Sequence, residues 1–320
     1  MQALNNLLFF DEPLDVFGQN PRLSRLYTQL CFCFSMAETA AQTQLDIIQS
    51  LEIGLQRLTE RFPWVGGQVV QNDLGLYTLR PLHKTSLMIV HDLQNELPTM
   101  EDFESAQFPF SMLDEELIAP RKTLPERLDE PAPVLLLQIN FIKRGALLVF
   151  SGQHNCMDIA GLGQVIYLFS KACRGEPFST EEILSGNLSR LDVIPLLKEH
   201  EIHSLPSRQE QVSTVGYQGK LDRDSDAHTE SYWAYFTFSS AALSALKALA
   251  NENLTVDYVS TDDVLSAFVW QSVTRARLPR LDANTTESTF ERQVNARGHL
   301  GIPAAYMGNV VYKTSDTWTM

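Results

Sequence analysis

His154 and Asp158 stand four residues apart in the stretch Ser151-Gly-Gln-His154-Asn-Cys-Met-Asp158-Ile-Ala-Gly161. A histidine with an ordinary pKa of ~6.5 can take a proton from a hydroxyl near neutrality, and such a general base contributes ~10²–10⁴-fold. Of the seven histidines, His154 alone has an aspartate four residues on. Two fixed positions leave a plainer alternative open, in which Asp158 caps a helix and His154 is a satisfied junction histidine. Cys156 is a weaker candidate for a thiol nucleophile with His154 as its base, because the two are only two residues apart and no third orienting group is evident. His200 and His203, three apart, read as a solvated pair without a further ligand nearby. The chain carries no Gly-rich phosphate loop, no Gly-x-Ser-x-Gly elbow and no metal-ligand set.

Two apolar runs, Val134–Ile142 and Ala146–Gln153, are joined by a short Lys-Arg-Gly turn and predict a hairpin that delivers His154 at its end. Beyond Asp158, the positions Ile159, Leu162, Val165, Ile166, Phe169 and Ala172 keep helical spacing up to a stop at Gly175. The histidine therefore belongs to a strand-to-helix junction, where fixed backbone on both sides can hold an accessible side chain.

The rest of the chain supplies the frame. Leu26–Phe34 alternates as a strand with Cys31 and Cys33 on one face, read as small core residues. Leu45, Ile48, Leu51, Leu55, Leu58 and Phe62 predict a long helix stopped by Pro63, and Phe62-Pro-Trp-Val-Gly-Gly67 turns into Val69-Val70. Extended chain is expected around Leu87–Val90, and the acidic, proline-punctuated residues 100–130 read as a surface connection. After a polar stretch, Tyr232–Phe238 predicts an aromatic strand and Ala241–Ala250 a helix. Ser260-Thr-Asp-Asp263 opens a further helix with a capping box; Val264, Leu265, Phe268, Val269 and Val273 are expected on its buried face, with Arg275 and Arg277 in its last turn.

At 320 residues the chain exceeds one typical domain, and its 44% hydrophobic content suffices for a core. The reading is an N-terminal domain over 1–203, a linker over 204–230 and a partial C-terminal domain over 231–320. Strands and helices mix without strict alternation, which makes the fold class α+β (mixed α/β). A formal charge of −14, from 25 basic and 39 acidic residues, argues against nucleic acid or an anionic membrane as partner. No run approaches the ~18 apolar residues of a membrane span, no basic leader begins the chain, and four scattered cysteines show no disulfide pattern. A cytoplasmic monomer is expected, and sequons at Asn187, Asn253 and Asn284 carry no weight without a secretory signal.

Taken in order, Pro13-Leu-Asp15, Phe62–Gly67, His154-Asn-Cys-Met-Asp158, Ser260–Trp270, Asn295-Ala-Arg297 and Tyr306-Met-Gly-Asn309 resemble a fungal BAHD acyltransferase of the trichothecene acetyltransferase-like group. The resemblance implies a chloramphenicol-acetyltransferase-like two-domain architecture and a general-base transfer, without an acyl-enzyme, from acyl-CoA, acetyl-CoA by expectation, to a small hydroxylated acceptor in fungal secondary metabolism. It implies that His154 is the base, and that Asp158 points away from substrate to pair with Arg297 and fix the loop. Coenzyme A is then a co-substrate and no cofactor is permanently bound. Lys171, Arg174, Arg275 and Arg277 are candidates by position for its phosphates, against the alternative of solvated helix ends; Ser260, Thr261 and Arg275 form the expected cofactor-binding set.

Two departures from the family pattern stand out. Ile159 replaces the glycine that often follows the aspartate, with Gly161 two residues further on. The family's Asp-Phe-Gly-Trp-Gly signature does not occur, so the second domain is expected to be incomplete. Two other readings stay open: a non-catalytic remnant that only binds ligand or partner, and a condensation-type enzyme of the same fold, which Gln153 weakens because condensation domains usually carry a second histidine there.

Overall fold

The computed structural model describes residues 11–37, 41–82, 86–124, 131–191, 193–196, 234–252, 256–280 and 287–319. The expected linker 204–230, both His200 and His203, and Tyr232-Trp233 lie outside the described residues. The chain divides into two compact units, Met1–Trp233 with Ala296–Val310, and Ala234–Asn295 with Val311–Met320.

The first unit is organised by a hairpin of two wholly buried strands, β7 (Leu135–Ile142) and β8 (Gly145–Gln153). Chain reversal falls on Lys143-Arg144, with Arg144 in the left-handed region at φ 61°. Gly145 begins the next strand because a Cβ there would sit 2.8 Å from the carbonyl of Phe34. β2 (Tyr27–Ser35) pairs antiparallel with β8, and β5 (Met88–Asp92) pairs parallel with β7, giving the order β2-β8-β7-β5. A smaller sheet sets β1 (Glu12–Pro13), β4 (Tyr77–Pro81), β3 (Gly67–Gln71) and β6 (Ala132–Pro133) side by side in that order.

Both faces of β8 are covered, which is why its sequence is continuously apolar rather than alternating. Ala146, Leu148 and Phe150 join the core made with α1 (Ala41–Arg61) and α4 (Ile159–Cys173), through Leu51, Leu55, Leu58, Leu162, Val165 and Phe169, with Ile183 of α5 (Thr180–Gly186) packed against it. Leu147 and Val149 face the other way, onto Leu93, Met100, Phe103 and Ile118. Residues 100–118 are therefore more than the expected surface connection: α2 (Met100–Ser105) and α3 (Glu115–Ile118) close the second face of the sheet. On that face Gln138 and Asn140 interrupt β7. They are satisfied by one another at 2.7 Å and by the carbonyls of Leu117 and Ile118 at 2.8 Å.

The long first helix ends at Arg61 as expected, and Pro63–Gly66 forms a 3-10 turn into β3. The two cysteines of β2 are a correction: Cys31 is exposed and Cys33 half-buried. Alternation identified their strand, but β2 is an edge strand and part of its surface is uncovered.

The second unit holds α6 (Ser240–Asn251), α7 (Thr261–Arg277) and the antiparallel pair β9 (Glu287–Asn295) and β10 (Val311–Thr319), in register from Val311 opposite Asn295 to Thr319 opposite Glu287. Trp270 of α7 stacks on Phe290 of β9 at 5.3 Å. Ser260 caps α7 in a capping box with Asp263, as read from sequence. The expected buried face is not buried: within α7 only Val264 is buried, while Phe268, Val269 and Val273 are each exposed by about two-fifths. Ala234–Phe238 forms no strand, contrary to expectation.

Ala296–Val310, placed by sequence in the C-terminal region, belongs to the first unit. Its short helix α8 (Arg297–Leu300) starts on a buried arginine, and Tyr306, Met307 and Val310 are buried as well. Among the described residues, no helix is long and apolar enough to cross a membrane.

Candidate active site

His154 is the first residue after β8 and opens the turn that enters α4. Its backbone N–H donates to Leu26 at 2.9 Å, continuing the β2 to β8 ladder one step past the strand. Both neighbours are tied down. Gln153 donates to the carbonyl of Ser24 at 3.1 Å and to the Asn155 amide oxygen at 3.0 Å, and Asn155 donates in turn to the carbonyls of Gly18 and, at 3.2 Å, Asn20. The carbonyl of His154 accepts from Nδ2 of Asn309 at 3.0 Å. On the imidazole, Nδ1 is enclosed and has no hydrogen-bond partner among the described residues.

Asp158 caps α4, and both of its oxygens are occupied by N–H donors. Oδ1 accepts from Gly161 at 2.8 Å and from Arg297 Nη2 at 3.0 Å; Oδ2 accepts from Arg297 Nη1 and from the Val310 N–H, both at 2.8 Å. The pair is sealed from solvent, with side chains 3% and 1% exposed. Arg297 also donates through Nε to the carbonyl of Tyr306 at 3.0 Å and through Nη2 to that of Gly308 at 2.7 Å. Such a bidentate, fully hydrogen-bonded ion pair fixes the two backbone segments that carry it.

Gly161 is part of that fit, since a Cβ on it would lie 2.3 Å from the carbonyl oxygen of Met307. The glycine required here is the one three residues after Asp158, not one immediately following; Ile159 is half exposed.

A family model described as the trichothecene 3-O-acetyltransferase-like N-terminal domain matches residues 26–173, the interval from β2 to the end of α4 that contains His154 and Asp158. O-acetyltransferase dmxR13 of a Cryptosporiopsis species is 45% identical over 97% of this chain and 69% of its own length. Trichothecene 3-O-acetyltransferase TRI101 of Fusarium sporotrichioides is 40% identical over 96% of this chain and 68% of its own. The chain belongs to the trichothecene 3-O-acetyltransferase-like family.

The crystal structure of F. sporotrichioides TRI101 complexed with coenzyme A and T-2 superposes with a TM-score of 0.80, covering 97% of this chain and 69% of that one. F. graminearum TRI101 complexed with ethyl coenzyme A gives 0.82 at 37% identity, over 97% and 70%. Vinorine synthase, at 14% identity and a TM-score of 0.59, shares the fold alone. The mixed α/β architecture of this acyltransferase is thus that of the BAHD type.

The remaining candidates of the acyltransferase are dispersed. Cys156 is fully buried, and burial pushes its thiol up to about 12, which keeps it protonated and inert as a nucleophile. Lys171 is held by both oxygens of Glu182 at 2.8 Å, and Arg174 by Glu176 at 2.6 Å, so each cation already has a carboxylate. Ser260 and Thr261 open α7, with the Ser260 hydroxyl engaged by its own capping box, while Arg275 sits near the other end. At 1.5 Å per residue, Thr261 and Arg275 are about 21 Å apart along the helix. Arg275 lines a cavity of about 540 Å³ with Trp270 and Trp318. The structure brings His154, Asp158 and Arg297 together, and it leaves Ser260 and Thr261 separate from Arg275.

Asn309 is the residue of this site that sequence reasoning named but gave no role. Its motif, Tyr306-Met-Gly-Asn309, was visible; its target, a backbone carbonyl, leaves no trace in sequence.

Proposed function

We propose that this protein transfers an acetyl group from acetyl-CoA to a hydroxyl of a small fungal secondary metabolite, with His154 as the general base. The observation that carries this reading is the commitment of Asp158. Every lone-pair direction of its carboxylate that the site uses meets Gly161, Val310 or Arg297. The aspartate therefore stabilises the turn, and His154 acts without a relay partner.

With Nδ1 enclosed, Nε2 is the nitrogen assigned to the reaction. It takes the proton of the acceptor hydroxyl as the oxygen attacks the thioester carbonyl. Collapse of the tetrahedral adduct breaks the carbon–sulfur bond, and the coenzyme A sulfur leaves as thiol after receiving that proton from the imidazolium. The products are ester and free coenzyme A, and no acyl-enzyme forms.

Gln153 speaks against the condensation-type alternative, because it is wholly buried and hydrogen-bonded to Ser24 and Asn155 rather than presented beside His154. A cytoplasmic monomer is the accompanying proposal, supported by the acidic balance of the chain and by free cysteines at all four positions.

The test is coenzyme A release from acetyl-CoA by the 320-residue protein across a panel of hydroxylated acceptors. Deoxynivalenol, crystallised with F. graminearum TRI101, is the first to try. Acceptor-dependent release that falls ~10²–10⁴-fold in His154→Ala is expected. Equal release by that variant would overturn the role of the histidine. Absence of turnover together with absence of thermal stabilisation by excess acetyl-CoA would favour the remnant; at a hundredfold excess over Kd, binding should contribute about 2.7 kcal/mol.

A further inference from the structure

The turn 154–158 is gripped at every second residue by a side chain from a remote segment. Asn309 holds the carbonyl of His154, and Arg297 holds the carboxylate of Asp158. Between them, Nη1 of Arg190 donates to the carbonyl of Cys156 at 2.7 Å. Arg190 belongs to none of the motifs that mark the family in this sequence, yet its side chain is only 4% exposed.

Its surroundings are built for an arginine. The guanidinium lies 4.5 Å from the ring centre of Trp64 and 6.0 Å from that of Tyr306. Nη1 is 3.9 Å from Oδ2 of Asp15, whose side chain is fully enclosed. Asp15 also accepts from the Gly18 N–H at 2.8 Å and from the Tyr306 hydroxyl at 3.2 Å. Burial pushes its carboxyl above the usual carboxylate range, and the positive charge of Arg190 pulls it back. Removing the arginine would leave a buried carbonyl without its donor and a buried acid without its cation.

We propose that Arg190 is a positioning residue for His154, with Asp15 as its buried counter-ion: it fixes the Cys156 carbonyl and thereby the pitch of the turn that aims the imidazole. A lysine cannot replace it, because a point charge lacks the planar fork that lies over Trp64 while donating to Cys156 and facing Asp15. The inference rests on His154 being the base, and its test reads the two ideas separately.

The experiment uses the full chain with ring-labelled histidine. NMR signals of the His154 ring, identified by their loss in His154→Ala, are compared in wild type, Arg190→Lys and Asp15→Asn, alongside kcat and KM for acetyl-CoA. Folding of each variant is checked by the retained dispersion of the other histidine signals. The expected result is a displaced or broadened His154 ring signal in Arg190→Lys and Asp15→Asn. With it should come a kcat lower by about 10²-fold at nearly constant KM, the size expected of ~1 Å misplacement. Unchanged ring signals and unchanged kcat per folded molecule in either folded variant would overturn the proposal. Ring signals need no turnover, so they judge the placement of His154 even if His154→Ala shows that the base reading fails.

Discussion

The side chain of Asn309 donates to the main-chain carbonyl of His154 at 3.0 Å across 155 residues of sequence. The contact holds the residue that carries the imidazole without touching the imidazole itself. Asn309 is 2% exposed, so Asn309→Ala leaves a largely buried carbonyl unpaired, at a cost of about 1–3 kcal/mol. We expect the urea midpoint to fall accordingly and kcat to fall more than KM rises. A variant with wild-type kcat would show that this carbonyl does not need holding.

Asp158→Ala should be far more damaging to stability. The substitution leaves the Arg297 guanidinium buried without its anion, and breaking a pair of this kind costs about 3–5 kcal/mol. Replacing both residues together, Asp158→Leu with Arg297→Met, removes the stranded charge and should recover part of that loss in urea unfolding while leaving acyl transfer impaired. Stability of the double variant no better than that of the single one would locate the cost in the Gly161 and Val310 hydrogen bonds instead.

How much of this was legible in the sequence follows from what each signal measures. The His154 to Asp158 spacing and the helix after it were readable because the cap, the turn and the apolar period are all local. The partner role of Arg297 came only through resemblance, since nothing near Asn295-Ala-Arg297 says what the arginine meets. Arg190 had no signal, because its partners Asp15, Trp64, Cys156 and Tyr306 converge through tertiary structure alone. Periodicity misled at Phe268, Val269 and Val273, and at Cys31. It reports which side of an element is apolar, not whether anything covers that side.

Two glycines of α4 should respond in opposite ways to the same change. Gly161→Ala drives a methyl against the Met307 carbonyl, where backbone must move, and we expect a loss of about 1–3 kcal/mol together with a weakened Asp158 to Gly161 bond. Gly163, two residues on, has open space where a Cβ would go. There alanine should be neutral or stabilise by up to about 1 kcal/mol through helix propensity. Thermal midpoints of the two variants, measured side by side, decide the matter; equal shifts would mean that the close approach at Met307 is not a constraint.

Cys156 gives the fold a predictable alkaline weakness. In the folded protein burial raises its thiol to about 12 from an ordinary 9.0. The unfolded chain therefore loses this proton first. The contribution to stability is complete below pH 9 and is lost progressively as pH rises from there toward 12, with a slope of up to about 1.4 kcal/mol per pH unit. Tyr27 and Tyr306, whose hydroxyls are also pushed up by burial, add to the same alkaline loss, so the comparison must isolate the thiol. Cys156→Ala serves that purpose. Its stability at neutral pH should be lower, because a buried side chain is cut back. Its decline between about pH 9 and about pH 11, followed by urea unfolding, should be shallower than that of the wild type. Parallel decline in the two proteins would mean that Cys156 titrates alike in folded and unfolded chains, and that burial does not hold its proton.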